Sequence, residues 1–279
     1  NKFFKKMELP DICPQIYNLF SCSDIIAYQK NTKNNWIYNK LLIAQLQNLH
    51  CNIMPIEPSS YPVILKPIYN LFGMSKDVYL LRNIDDYNRH VNHLGFWTEF
   101  LSGVHRSIDL VIINNKIIWK TFFIGYKLDV IGAFDYWELC WESLPQKLLE
   151  NIQLIINKLD NYTGIINMES IDNYIIECHL RPGDVLFLND KIIKEMIKLY
   201  MIGKWELKEY KEEKMFLLPI WKEYIKTEKN IVSILQEHKN LYYEMDTDIL
   251  PSPPELQRQC LLICNDLNLL FKIRSEIYN

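Results

Sequence analysis

The sequence predicts an α+β fold in which antiparallel strands and helices are mixed. Paired apolar runs flank short turns, as in 107–128 around Asn114-Asn115, which is typical of a hairpin because asparagine tolerates positive φ. Helical periodicity lies between such pairs, most clearly over 144–164, where the apolar residues fall on one face. The pattern is not the regular strand–helix alternation of a doubly wound sheet.

The remaining elements are predicted from the same signals. The first part of the chain is expected to contain a mixed segment (1–35), a helix (35–50), two short strands (63–66 and 78–81), a helix capped by Asn83 (83–94) and a strand running into a turn (96–103). The later part is expected to contain a hairpin (163–184), a helix (191–203), a strand (215–221), a proline-rich connector (246–255) and a helix from Glu255 to the end.

Composition limits the class of protein. The chain has 279 residues, of which 49% are hydrophobic, so it can bury a substantial core. A net charge of −3 argues against a nucleic-acid partner bound through phosphate neutralisation. No run approaches the ~18 apolar residues of a membrane helix, so we expect no membrane partner. The abundance of Asn, Ile and Lys indicates an AT-rich genome, and the oligomeric state is not indicated.

The seven cysteines are odd in number and scattered, which is typical of reduced thiols in a cytoplasmic protein. Cys260 and Cys264 are four residues apart and are expected to share a helix face. Core packing is favoured for them, because no second pair or nearby histidine completes a zinc motif.

The hairpin at 163–184 carries the strongest chemical pattern. Strand alternation puts Asn167 and Glu169 on one face of its first strand. It puts Glu177, His179 and Arg181 on one face of its second strand. Two carboxylates on adjacent strands suit Mg²⁺, which prefers oxygen ligands. From the hairpin alone, a surface ion pair between Glu177 and Arg181 explains the pattern equally well.

The turn decides whether these two sets of side chains meet. A two-residue turn at Asp172-Asn173 would send them to opposite faces of the sheet. A three-residue loop (171–173) with a left-handed Asn173 would place Glu177 opposite Asn167 and unite them. We favour the three-residue loop, because charged side chains beside apolar runs are costly to bury without a partner or a metal.

Two upstream segments add weaker signals. Lys66 ends an apolar strand before a loop that contains Gly73, so it can reach a phosphate, although a solvated strand end is commoner. The turn at Gly103 exposes backbone groups near Glu99 and Leu101, with which a purine edge could pair. An ordinary β-turn is the simpler interpretation of that segment.

In their order along the chain, these motifs resemble those of the ATP-grasp superfamily over roughly residues 36–185. The matching features are Lys40, PVILKP (62–67), EFLSG (99–103), GIINME (164–169) and IIECHLRPG (175–183). The resemblance implies two α+β subdomains with mostly antiparallel sheets that sandwich a nucleotide site. The implied boundaries are a short N-terminal segment (1–35), a first subdomain (36–106), a second subdomain (107–190) and a C-terminal extension of helices and strands (191–279).

The resemblance also implies a nucleotide contact for each matching residue. Lys40 and Lys66 would contact the α- and β-phosphates of ATP, beside the loop that contains Gly73. The backbone of Glu99 and Leu101 would hold adenine. The phosphate loop departs from the superfamily pattern because it has a single glycine, so backbone approach to phosphate is less assured.

The second half of the resemblance concerns metal and catalysis. Glu169 and Glu177 would bind the Mg²⁺ ions that bridge the phosphates. Arg181 would face the transferred phosphoryl group or the acceptor carboxylate, since its planar fork of donors matches oxyanions. His179 stands where the superfamily usually has Asn, and an imidazole ligand suits Mn²⁺ or Zn²⁺ better than Mg²⁺. His105 would replace a ribose-binding acid.

The activity that the resemblance implies is an ATP-dependent ligase, in which a carboxylate is activated as an acyl phosphate and attacked by an amine or another nucleophile. Its substrates would be a small-molecule carboxylate and amine, or a peptide. Two alternatives stay open: a degraded member that binds nucleotide or a protein partner without turnover, and a small-molecule kinase. The aromatic residues of 131–141 either line an acceptor pocket or pack in the sheet, and packing is favoured.

Overall fold

The computed structural model describes residues 23–71, 77–130, 132–183, 194–195, 198–199, 201–207, 214–226, 230–238, 241–245 and 256–279. Two antiparallel sheets with helices packed against them make up this part of the chain, which confirms the predicted α+β class. No helix among these residues is both long enough and apolar enough to cross a bilayer.

The elements are numbered here in chain order. The described helices are α1 (Asp24–Lys30), α2 (Lys40–Leu46), α3 (Ile84–His90), α4 (Gln146–Ile156), α5 (Ile231–Gln236) and α6 (Leu267–Tyr278), with 3₁₀ helices at Asn35–Tyr38 and Lys222–Tyr224. The described strands are β1 (Cys51–Ile53), β2 (Val63–Lys66), β3 (Tyr79–Leu81), β4 (Phe96–Glu99), β5 (His105–Ile113), β6 (Lys116–Lys127), β7 (Phe134–Cys140), β8 (Gly164–Ile171), β9 (Tyr174–His179), β10 (Phe216–Trp221), β11 (Tyr242–Met245) and β12 (Arg258–Cys264).

The strands form two sheets of different size. The four-stranded sheet has the order β1-β4-β2-β3, and every neighbouring pair in it is antiparallel. The eight-stranded sheet has the order β11-β12-β10-β7-β6-β5-β8-β9 and is also antiparallel. The three C-terminal strands therefore extend this sheet at one end, and the hairpin β8–β9 forms its other end.

Helix α4 covers the hairpin end of the large sheet. Its residues Leu148, Ile152 and Ile155 are fully buried and share a core with Ile108 and Ile112 of β5. Complete burial of one such side chain stabilises the folded state by about 1.5–3 kcal/mol. The helix predicted from the periodicity of 144–164 is thus confirmed, although it ends at Ile156.

Local turn and cap signals are confirmed where the side chain itself forms the structure. Asn114 and Asn115 both have positive φ, 48° and 59°, in the turn that joins β5 to β6. Asn83 caps α3, because its side chain accepts a hydrogen bond from the Asp86 amide at 3.0 Å. The predicted helix over 35–50 is interrupted at Asn39, which has ψ 95° and caps α2 instead of continuing the preceding turn.

The predicted C-terminal helix from Glu255 is wrong over 258–264, where the chain forms β12 between β10 and β11. Cys260 and Cys264 accordingly lie on a strand, and both are buried in the core. The error has a physical reason: a short apolar run fits a fully buried strand and a buried helix equally well. Only α6, which begins at Leu267, is helical as expected.

Several elements were not predicted from the sequence: β1, α5 and β11 are three to six residues long, too short for a periodicity to show. Of the predicted helix 191–203, the structure describes 194–195, 198–199 and 201–203, whereas the connector 246–255 and Gly73 lie wholly outside the described residues.

Candidate functional site

The hairpin β8–β9 brings its two carboxylates face to face, by a register that differs from both predicted ones. Its turn has two residues, with Asp172 at φ 50°, and Ile171 pairs with Tyr174. The register then shifts, so that Ser170 pairs with Ile175 and Glu169 pairs with Glu177. Ile176 is therefore an extra residue, a β-bulge that turns Glu177 toward the face of Glu169.

The predicted left-handed Asn173 is thus wrong, and Asp172 takes that conformation because the neighbouring segment captures it. The Val104 amide donates to Asp172 Oδ1 at 3.0 Å, and the Asp172 amide donates to the Val104 carbonyl at 2.8 Å. Gly103 has φ +127°, and a Cβ there would lie 2.3 Å from the Asp172 carboxylate. The turn after EFLSG therefore clamps the tip of the hairpin.

Glu177 forms an ion pair with Lys40. The Lys40 ammonium lies 2.8 Å from Glu177 Oε1, and its side chain is only 6% exposed. Lys40 is the first residue of α2, so the cap at Asn39 sets its position. The Nε2 atom of His179 lies 3.6 Å from the same carboxylate oxygen. Two basic side chains from distant segments thus face one carboxylate.

Glu169 is paired with His105 instead. His105 Nε2 lies 3.1 Å from Glu169 Oε2, and edges of the Phe134 and Trp137 rings contact the imidazole. Burial raises the pKa of Glu169, but the hydrogen bond and charge of His105, with further nearby cations, lower it to about 2. The aromatic residues of 131–141 therefore pack beside a site residue, as well as within the sheet.

Lys66 extends from the small sheet toward the bulge in the large one. Its ammonium donates to the Ile176 carbonyl at 3.5 Å and lies 5.4 Å from the centre of the Phe96 ring. Burial and the charge of Lys40 lower the pKa of Lys66 to about 8, although Glu177 opposes this. Two buried lysines thus lie close together, an arrangement that favours binding of an anion.

Asp24 joins the site although no sequence signal pointed to it. Its carboxylate accepts hydrogen bonds from Arg181 at 2.9 and 2.8 Å and from the Tyr38 hydroxyl at 3.1 Å, and His179 Nδ1 lies 2.9 Å from it. Burial would raise the pKa of Asp24, but His179 and Arg181 hold it well below its usual range. Asp24 begins a seven-residue helix in a segment for which the sequence predicts no definite element, and its partners His179 and Arg181 lie more than 150 residues away.

A buried polar network holds the segment that follows β9. Asn167 donates through its side chain to Ser107 Oγ at 3.0 Å, and its amide donates to the Arg181 carbonyl at 3.1 Å. The Gly183 amide donates to Asp109 Oδ1 at 2.7 Å, and a Cβ at Gly183 would lie 2.5 Å from the Asn167 side chain. The turn after Arg181 is therefore fixed by side chains of β5 and β8.

Glu99 is the last residue of β4, and Leu101 follows the strand two residues later. The Glu99 carboxylate accepts from the His50 amide at 2.8 Å, and its own amide donates to the His50 carbonyl at 2.8 Å. Leu101 packs with Ala44 and Phe96. These contacts anchor the strand end, and a contact of this backbone with adenine stays a prediction.

The structure brings Lys40, Lys66, His105, Glu169, Glu177, His179 and Arg181 together around one hairpin. Within the described residues, no three His, Cys, Asp or Glu side chains are arranged as a complete metal site. Each carboxylate of the hairpin instead has a basic partner from the chain. A metal there would need additional oxygen ligands, such as those of a phosphate.

Comparison with known proteins identifies the fold. No protein-family model and no curated protein sequence matches the chain. An L-amino acid ligase from Bacillus licheniformis has a similar structure, with TM-score 0.62, 13% identity, and coverage of 99% of this chain and 75% of the ligase. N5-carboxyaminoimidazole synthetase from Staphylococcus aureus, complexed with ADP, gives TM-score 0.64, 12% identity, and coverage of 88% and 72%.

Phosphoribosylglycinamide synthetase from Anaerococcus prevotii is a more distant likeness, with TM-score 0.52, 14% identity, and coverage of 88% of this chain and 73% of that one. At such low identities the likeness is one of fold. It spans both sheets and agrees with the architecture predicted from the ordered motifs.

Proposed function

We propose that this chain, which has the ATP-grasp fold, is an ATP- and divalent-metal-dependent ligase that joins a carboxylate to an amine or another nucleophile. The observation that carries the proposal is the pair Glu169 and Glu177, directly opposite each other beside the buried Lys40 and Lys66. Opposed carboxylates and excess buried lysines together suit a metal–polyphosphate ligand.

The lysines would hold the phosphates. Lys40 is paired with Glu177, whereas the contacts of the Lys66 ammonium with described residues are the Ile176 carbonyl at 3.5 Å and the Phe96 ring, and its pKa is lowered. A phosphate between them would offset the mutual repulsion of the two ammonium groups. The backbone of Glu99 and Leu101 would bind adenine, and the proposed phosphate contact of Gly73 falls outside the described residues. His105, already oriented by Glu169, would meet the ribose.

The carboxylates fit a divalent metal that arrives with nucleotide. Mg²⁺ is commonly held by one or two carboxylates plus substrate phosphates and water, so a three-residue protein cage is not required. Glu169 and Glu177 supply this donor set, and His179 lies beside Glu177. The bound metal would neutralise charge on the phosphate oxygens. When phosphate draws Lys40 away, Glu177 becomes available as a ligand.

Reaction chemistry would follow from positioning and charge neutralisation. The carboxylate substrate would attack the γ-phosphorus of ATP and release ADP, and the amine would then displace phosphate from the acyl phosphate. Arg181 would orient the carboxylate or the transferred phosphoryl group, since its Asp24 contacts hold the guanidinium plane fixed. The substrates would be small molecules or a peptide.

The five described cysteines form no disulfide, which agrees with a reducing, cytoplasmic location.

Thermal unfolding with ADP or ATP, with and without Mg²⁺ or Mn²⁺, tests the proposal. Ligand at about 100 times its dissociation constant should stabilise the protein by about 2.7 kcal/mol. Glu177→Gln should remove the metal-dependent part of this shift. Glu276→Gln, which changes a carboxylate paired with His238 in the C-terminal helix, should leave it unchanged. If no nucleotide raises the unfolding temperature, the ligase proposal is wrong.

Binding without turnover is the second candidate, and one observation favours it. Both hairpin carboxylates already have basic partners from the chain, so nucleotide must break internal ion pairs before a metal can bind. Screening carboxylic acids with amines for metal-dependent release of ADP separates the two candidates. A protein that binds ATP but releases no ADP with any substrate pair would favour the non-catalytic one.

A further inference from the structure

Asp24, His179 and Glu177 form a continuous line of polar groups, of which Asp24 and His179 are buried. Asp24 Oδ1 lies 2.9 Å from His179 Nδ1, and His179 Nε2 lies 3.6 Å from Glu177 Oε1. The side chains of Asp24 and His179 are each 5% exposed, so neither turns freely toward water. The line begins in α1 and ends in the hairpin, which joins the N-terminal segment to the proposed metal site.

We infer that Asp24 is a positioning residue that aims His179 Nε2 at the metal beside Glu177 and thereby shifts the site's preference from Mg²⁺ toward Mn²⁺. The inference rests on the proposed function, because the metal would arrive with nucleotide. It assigns to Asp24 a role that none of the ordered motifs contains.

The hydrogen bonds fix which imidazole nitrogen carries the proton toward Asp24. An ionised carboxylate only accepts, and Asp24 accepts from Arg181 and from the Tyr38 hydroxyl. The Tyr38 hydroxyl in turn accepts from the Leu180 amide at 3.0 Å, which leaves its own proton for Asp24. His179 Nδ1 therefore carries the hydrogen that points to Asp24, and Nε2 is the nitrogen that faces the site.

The separation of the two inner donor atoms suits a shared cation. At 3.6 Å, His179 Nε2 and Glu177 Oε1 are too far apart for a good hydrogen bond. An octahedral ion such as Mg²⁺ or Mn²⁺, with bonds of about 2.1 Å at about 90°, would hold neighbouring nitrogen and oxygen ligands about 3.0 Å apart, so the two atoms would approach each other by roughly 0.6 Å on binding. An imidazole whose other nitrogen is held by a carboxylate is a common second-shell arrangement in metal sites.

A nitrogen ligand changes metal preference in a direction that can be measured. Mg²⁺ strongly prefers oxygen, whereas first-row transition ions accept imidazole. Dissociation constants of Mg²⁺ and Mn²⁺ for the ADP complex should be measured by calorimetry. The Mg²⁺/Mn²⁺ ratio of these constants should fall at least tenfold in His179→Asn. It should fall similarly in Asp24→Asn, because loss of such a supporting carboxylate typically weakens metal binding 10–100-fold.

The ratio separates positioning from general structural damage. A variant that merely loosens the fold should weaken both metals alike and leave the ratio unchanged, which would overturn the role of Asp24. His238→Asn, a histidine next to Glu276 outside the site, should also leave it unchanged. If Asp24→Asn does not fold, Asp24→Glu keeps the charge beside Arg181 but displaces the acceptor, and the ratio should again fall.

Pulsed EPR of Mn²⁺·ADP on ¹⁵N-labelled protein gives an independent readout. A ¹⁵N coupling that disappears in His179→Asn would establish direct nitrogen ligation, since unlabelled ADP contributes only ¹⁴N. Bound Mn²⁺·ADP without ¹⁵N coupling would overturn this inference and leave the proposed function standing. Absence of ADP binding would overturn the proposed function and this inference together.

Discussion

The two ends of the eight-stranded sheet stabilise the fold in different ways. At the β8–β9 end, Lys40, His179 and Asp24 are buried, Glu177 is half-buried, and each has a charged partner. At the β10–β12 end, the buried strand residues are almost all apolar, as in Leu217, Leu218, Ile220, Leu261 and Leu262. Buried charge is costly unless paired, so the β8–β9 end must recruit partners from distant parts of the chain.

The difference shows that one end of the sheet is held by apolar packing, whereas the other end carries the charged residues of the candidate site. Strands at the apolar end are stabilised mainly by hydrophobic burial, which is not directional and so does not require one particular apolar partner for each side chain. The charged end depends on particular atoms at particular distances. Substitutions at the two ends should therefore differ in how much stability and how much binding they remove.

The largest effect should come from Asp24→Ala. This change leaves Arg181 and His179 without their carboxylate, and breaking a buried ion pair typically costs about 3–5 kcal/mol. The matched change is Asp135→Ala, which removes the partly exposed partner of Arg274 at the other end and should cost at most about 1 kcal/mol. Urea unfolding measures the loss of unfolding free energy in each variant. Equal losses in the two variants would contradict the contrast between the two ends.

Leu262→Ala should destabilise the apolar end without affecting ligands. Leu262 is fully buried in β12, and such truncations typically cost about 2–5 kcal/mol in unfolding free energy. Below its unfolding transition, the variant should bind Mg²⁺·ADP with unchanged affinity in calorimetry. A tenfold loss of affinity would show instead that the C-terminal strands contribute to the candidate site.

Acid should weaken the charged end first. The pKa of Glu169 is lowered from 4.5 to about 2, so its stabilisation is present above about pH 5 and is lost as the pH falls toward 2. With the side chain 31% exposed, the contribution is on the order of 2 kcal/mol. Unfolding free energies of wild type and Glu169→Gln should converge as the pH falls from 5 to about 2, whereas Glu276→Gln should parallel wild type.

The smallest effect should be a proton taken up on nucleotide binding. The pKa of Lys66 is about 8, so part of the population is neutral at that pH, and a bound phosphate would restore its charge. Metal-free ADP binding at pH 8 should take up at most about half a proton, and affinity should fall as pH rises further. Calorimetry in buffers of different ionisation enthalpy measures this, with Lys66→Met abolishing the uptake and Lys222→Met preserving it.

Sequence reasoning succeeded where the signal is local. The asparagine turn of β5–β6, the cap at Asn83 and the apolar face of α4 each depend on residues a few positions apart. Seven side chains that the ordered motifs named lie around the β8–β9 hairpin, while the roles given to them stay predictions. The helix assignment failed for β12 because its run is apolar on both faces and carries no period to distinguish strand from helix.

Long-range partners and the exact register could not be predicted. Asp24 lies 155 residues from His179, and its own neighbourhood shows only the start of a short helix. The hairpin register depends on the hydrogen bonds of Asp172 with Val104, which lies just before β5, and no property of the hairpin sequence reveals them. Both features arise from tertiary contacts that select among locally equivalent conformations.

The bulge at Ile176 changes how the site responds to gain or loss of residues. In a regular hairpin with the same turn, Glu177 would lie opposite Met168 and point away from Glu169. Deleting Ile176 would remove the bulge but leave Glu177 opposite Glu169, so both carboxylates would still share a face. The interaction lost would be the hydrogen bond from the Lys66 ammonium to the Ile176 carbonyl, a backbone group that any residue supplies. The site should therefore tolerate loss of a residue at the bulge. One residue added or removed between the turn and Glu169 on β8 would instead turn the Glu169 side chain to the other face of the sheet.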